Sequence, residues 1–110
     1  MKLFVYGTLA PGEPNEHILS HIKWSWTKGV VKGKRFDSGW GAAMGYPGII
    51  LDPEGDFVSG MLFSSSELNA HWPAIDDFEG EGYQRVITEV MLENGEYVEA
   101  YIYELSDAGR

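Results

Sequence analysis

The sequence predicts an α+β domain in which six or seven short strands form a curled or closed sheet with two short helices at its side. Three observations carry that expectation. Short β-rich runs recur along the chain, glycines punctuate the corners between them, and only two stretches carry helical patterning. With 110 residues, the chain is read as one domain spanning 1–110, long enough for a single modest core. Whether the sheet closes on itself is not decided by these patterns.

Lys2 to Tyr6 is a β-rich run closed by Gly7-Thr8-Leu9-Ala10-Pro11-Gly12, a strand followed by a glycine-punctuated loop. Pro14 to His21 reads as a short helix, with Pro14 in its first turn and Ile18, Leu19 and Ile22 giving a partial apolar face. Trp24 to Phe36 is one long bent strand or two short ones, with Gly29 and Gly33 at bulges or corners. Asp37 to Gly48 is a long loop rich in glycine around Trp40, Met44 and Tyr46. Ile49 to Leu51 and Phe57 to Phe63 read as strands joined by a Pro-Gly turn.

Ser64 with Glu67 has the spacing of a capping box, so a helix follows and carries Leu68, Trp72 and Ile75 on one face. Pro73 is expected to bend or interrupt it, and Gly80 to stop it. Tyr83 to Leu92 alternates cleanly, and Asn94-Gly95 marks a hairpin whose two turn residues both accept positive φ. Tyr97 to Leu105 is the returning strand, and Ser106 to Arg110 is expected to fray.

Eight Lys and Arg against 17 Asp and Glu give a formal net charge of -9, which disfavours phosphate backbones and anionic membrane surfaces as partners. The absence of cysteine excludes disulfides, thiol catalysis and thiolate metal sites. No signal peptide and no apolar run of spanning length is visible, so a cytoplasmic protein is the default expectation. Nothing in the sequence decides the oligomeric state.

Of the acids Asp76, Asp77, Glu79 and Glu81, only Glu79 falls in line with the apolar face, four residues after Ile75. A carboxylate there loses solvation, and its pKa rises towards the range of a general acid/base. The plain alternative is a helix-end acid bonded to Arg85 or turned out to solvent. Asp76, Asp77 and Glu81 are expected to be solvated. The glycine after the first strand lets the amides of Tyr6-Gly7-Thr8-Leu9 turn towards one point, as in a small anion cradle, or makes an ordinary turn. His17 and His21 share a helical face but have no evident third ligand, so no metal site is assigned. Tyr46, Tyr83 and Tyr101 are candidate walls of a pocket around Glu79. The glycines of Asp37 to Gly48 suit a lid or plain turns equally.

Taken together, Phe4-Val5-Tyr6-Gly7-Thr8-Leu9 followed by Asn15, and Ile75-Asp76-Asp77-Phe78-Glu79-Gly80 running into Tyr83-Gln84-Arg85, resemble the γ-glutamyl cyclotransferase-like family. The likeness is strongest to its small members related to γ-glutamylamine cyclotransferase. Ile75 stands where leucine is usual, and Pro73 interrupts the helix pattern. The resemblance implies a small mixed β-barrel flanked by helices, with a cavity at one end. It further implies a substrate loop at Tyr6, Gly7, Thr8 and Leu9, and Glu79 as catalytic acid/base. The expected reaction releases 5-oxoproline from a small γ-glutamyl amine or peptide, without metal or cofactor. The competing expectation is a non-catalytic module that binds a small anionic metabolite in the same cavity.

Overall fold

A computed structural model of the chain describes residues 1–7 and 25–110. The helix expected at 14–21, the histidine pair His17 and His21, and Thr8, Leu9 and Asn15 of the first motif lie outside the described residues. Six strands are described: β1 (Lys2–Val5), β2 (Ser25–Phe36), β3 (Gly48–Leu51), β4 (Asp56–Ser64), β5 (Tyr83–Leu92) and β6 (Tyr97–Leu105). Helix α1 (Leu68–Glu79) lies between β4 and β5, and short 3-10 turns occupy Gly41–Ala43 and Asp107–Gly109.

The strands pair in the order β3-β2-β4-β1-β6-β5, and β5 returns to β2. The sheet therefore closes into a five-stranded barrel, β2-β4-β1-β6-β5, with β3 added beside the end of β2. Closure rests on a short contact, Gly29 opposite Leu92 and Val30 opposite Met91. A β-carbon on Gly29 would stand 2.6 Å from Val90 Cγ1, so only glycine lets the two strands come this close. The barrel is mixed because β1 runs parallel to β6, while its pairing with β4 is antiparallel. β2 is one continuous strand that pairs with β4 up to Gly33 and with β3 from Gly33 onward.

Alternation along the strands divides the apolar residues between two faces. Phe4, Val31, Ile49, Val58, Leu62, Val90, Ala100 and Ile102 fill the barrel interior. Leu3, Val5, Phe63 and Tyr103 point outward and meet Leu68, Trp72 and Ile75 of α1. Burying such a side chain contributes about 1.5–3 kcal/mol, so three buried positions are enough to hold a single amphipathic helix against the barrel.

Four local expectations are corrected. Ser64 ends β4 and does not cap α1; Ser65 Oγ instead accepts the Glu67 N–H at 3.0 Å, because the strand runs one residue further than its hydrophobic pattern. Pro73 does not interrupt α1, which runs unbroken through it. The lost hydrogen bond falls on an exposed flank, while Trp72 and Ile75 on either side are buried. At the hairpin Gly95 alone takes positive φ, at 87°. The loop is an ordinary turn followed by a left-handed glycine, with Leu92 N–H donating to Glu96 O. Residues 106–110, finally, are docked: Gly109 is buried, Ser106 N–H donates to Gly82 O, and Arg110 Nε donates to Leu105 O.

Candidate active site

Helix α1 ends where Gly80, at φ 78°, donates its N–H to Asp76 O at 3.0 Å. That stop leaves Glu79 as the last helical residue, one turn beyond Ile75 on the barrel-facing side. Its carboxyl is largely shielded from solvent, and burial pushes its pKa from 4.5 up to about 7. Among the described residues none donates a hydrogen bond to it. Arg85 does not reach it either: that guanidinium turns to Asp76, with Nη2 3.6 Å from Oδ2. Glu79 is thus neither bonded to Arg85 nor turned out to solvent.

Three tyrosines surround the carboxyl. Burial raises the pKa of Tyr6, Tyr83 and Tyr103, Tyr83 to about 12, and the nearby Glu79 charge adds to the rise in each. Tyr6 follows β1 on its inward face, and its OH donates to Tyr103 O at 2.6 Å. Tyr83 opens β5, and its OH donates to Pro47 O at 2.6 Å. Tyr103 on β6 donates to Asp76 Oδ1 at 2.6 Å. Every phenol proton is therefore directed away from Glu79 to another acceptor.

Pro47 joins the two sequence motifs in space. A β-carbon on Gly7 would lie 3.1 Å from Pro47 Cγ, so the turn after β1 packs on the residue that holds Tyr83. Tyr46 is exposed beside Tyr83, at the rim. The loop carrying both is clasped from two sides: Gly39 N–H donates to Tyr46 O at 2.9 Å, and Trp40 N–H donates to Gly109 O at 2.8 Å. Ala43 within it is fully buried.

Tyr101 packs beside α1. Its ring meets Trp72 edge-on at 5.0 Å, and the Arg85 guanidinium lies over both rings, its carbon 4.3 Å from the Trp72 centroid and 5.3 Å from that of Tyr101. Asp76 is exposed, as expected and as Asp77 and Glu81 are, but it also accepts the Tyr103 OH and faces Arg85. The reason is angular: one step past the core-facing Ile75, Asp76 leans over β6 rather than away from it. Tyr103 and Asp76 were not singled out from the sequence, although the hairpin held the signal. Counting outward from it pairs Arg85 with Tyr103 on one face. No group of three or more His, Asp or Glu among the described residues could hold a metal ion, and no described helix is long and apolar enough to cross a membrane.

The family model described as "Gamma-glutamyl cyclotransferase, AIG2-like" matches residues 3–110. The Drosophila melanogaster protein named "Putative gamma-glutamylcyclotransferase CG2811" is 26% identical over 107 residues, covering 93% of this chain and 68% of that protein. YkqA of Bacillus subtilis superposes with a TM-score of 0.73 at 28% identity over 96% of this chain, which spans only 35% of YkqA. A mouse aig2-like protein gives a TM-score of 0.68 at 24% identity, covering 97% of this chain and 77% of the other, a likeness of fold. The chain belongs to the gamma-glutamyl cyclotransferase, AIG2-like family.

Proposed function

We propose that this protein is a γ-glutamyl cyclotransferase-type enzyme that releases 5-oxoproline from a small γ-glutamyl amine or peptide, with Glu79 as its general acid/base. The observation that carries the reading is Glu79 itself: a shielded carboxyl without a hydrogen-bond donor among the described residues, its pKa raised by burial to about 7. A group that titrates near neutrality can both take and return a proton at working pH.

A γ-glutamyl amide holds its own nucleophile, the α-amino group, one five-membered ring away from the γ-carbonyl carbon. Held folded, it reacts as an intramolecular pair with a large effective molarity. The α-amino group attacks in its unprotonated form: its nitrogen forms a bond to the carbonyl carbon, and Glu79 takes the proton that this nitrogen loses. The carbon–nitrogen bond of the amide then breaks as Glu79 returns the proton to the departing nitrogen. The products are 5-oxoproline and the free amine, with no change of oxidation state. The Tyr6-Gly7-Thr8-Leu9 turn would hold the α-carboxylate through backbone N–H groups. Tyr46 and Tyr83 would line the side from which the amine leaves, and the reaction fits a cytoplasmic setting without cofactor.

The experiment is to incubate the protein with a panel of γ-glutamyl amines and dipeptides and to measure 5-oxoproline. Turnover is expected with at least one class, and Glu79→Gln should lower it by about 100-fold or more, the usual weight of general acid–base catalysis. Saturable binding that tolerates Glu79→Gln without any turnover contradicts the reading and leaves a binding module in its place.

A further inference from the structure

The Tyr103–Asp76–Arg85 chain lies one turn from Glu79 and is given no task by the reaction just described. Asp76 accepts the Tyr103 OH at 2.6 Å, and Arg85 Nη2 stands 3.6 Å from the other Asp76 oxygen. The Arg85 guanidinium lies over both the Trp72 and the Tyr101 ring, and its Nη1 is buried without a hydrogen-bond partner among the described residues. An unpaired guanidinium nitrogen is costly, and the two ring faces with the Asp76 charge are what keep it there. The Arg85 charge attracts Asp76 in the same rotamer that meets Tyr103.

A phenol whose proton is fixed elsewhere can offer only its oxygen lone pairs to anything else. That restriction has a chemical consequence beside Glu79. The nucleophile in the proposed reaction is an amine, and its lone pair must stay free to reach the carbonyl carbon. A tyrosine with a free O–H would donate to that lone pair and block attack. A tyrosine whose O–H is already given to a carboxylate can only accept one of the amine's N–H bonds, which turns the lone pair towards the carbonyl.

We propose that Asp76 is a positioning residue that holds the Tyr103 proton away from the site, so that the Tyr103 oxygen serves as the acceptor for the substrate's α-amino group. The inference rests on the cyclotransferase reading and adds two residues to it, one contacting substrate and one acting through that contact. Asp76 here has the part that an orienting acid has beside a catalytic imidazole: it moves no proton in the reaction but fixes which way a neighbour presents itself.

A double-variant cycle over Asp76→Ala and Tyr103→Phe tests it, with kcat/KM for 5-oxoproline release as the readout and thermal unfolding as a check on folding. Asp76→Ala should lower kcat/KM roughly tenfold, the equivalent of one misdirected hydrogen bond. Adding Tyr103→Phe should restore part of that loss, because the misplaced donor is gone. Asp76→Asn keeps a carbonyl acceptor for Tyr103 and should stay within a few-fold of the parent. A purely structural Asp76 gives losses that add, with the double variant no better than Asp76→Ala, and that result overturns the inference while Glu79→Gln remains inactive. If Asp76→Ala fails to fold, Asp76→Val takes its place in the same cycle. No 5-oxoproline from the parent with any substrate overturns both the reading and this inference.

Discussion

Glu79 owes its character to two neighbours in sequence rather than to a charged partner. Ile75, one turn earlier, is buried against the barrel, and Gly80 ends the helix before the carboxyl can swing away. The cost appears as pH-dependent stability. The folded pKa of about 7 lies above the ordinary 4.5, so between those values the folded state binds more protons than the unfolded chain. Stability therefore falls as pH rises through that window, and the loss is complete above it. Glu79→Gln removes the titration. Its stability should match the parent near pH 4 and exceed it at pH 8, by about 3 kcal/mol, read from thermal unfolding at the two pH values. A gap that is constant across pH would show that Glu79 is solvated. The in-line position of Glu79 was legible because helical periodicity is local. The partner of Tyr103 was not, because it depends on where a helix lies across a sheet.

Among the elements, the loop over residues 37–47 and the turn after β6 act as one piece. Trp40 N–H donates to Gly109 O, and Gly41, at φ 54°, lies against Ala108. Sequence composition suited a lid or a wall equally, since glycine serves motion and close packing alike. What separates them is contact with residues 107–109, nearly seventy positions away in sequence, which no local pattern records. The same contact explains why the polar end of the chain does not fray. A β-carbon on Gly109 would collide with the Gly82 carbonyl, so Gly109→Val should break the clasp. The expected result is a loss of roughly 1–3 kcal/mol in stability by thermal or urea unfolding, together with a several-fold rise in KM as the Tyr46–Pro47 wall loosens. Unchanged stability would mean that the clasp is not a constraint.

At the scale of the molecule, five strands close a barrel whose interior is filled by side chains, and the candidate site lies at its end, under the last turn of α1. Strand positions were legible from alternation and glycine corners. Closure was not, since it rests on Gly29 and Val30 meeting residues 91 and 92, a match of shape between distant segments. The two motifs that looked separate in sequence meet through Pro47, with Gly7 packed on one side and Tyr83 bonded on the other. Under the proposed function, that convergence would let one substrate reach from the turn after β1 to the Glu79 carboxyl. The most direct measurement is the pH dependence of kcat/KM for 5-oxoproline release, in the parent and in Glu79→Gln. Proton removal from the substrate needs the ionised carboxylate, so kcat/KM should rise through a midpoint of about 7 in the parent. In Glu79→Gln that limb should vanish and the rate fall by about 100-fold or more. A limb centred near the ordinary carboxylate value, or one that survives in Glu79→Gln at the parental rate, would contradict the role of Glu79.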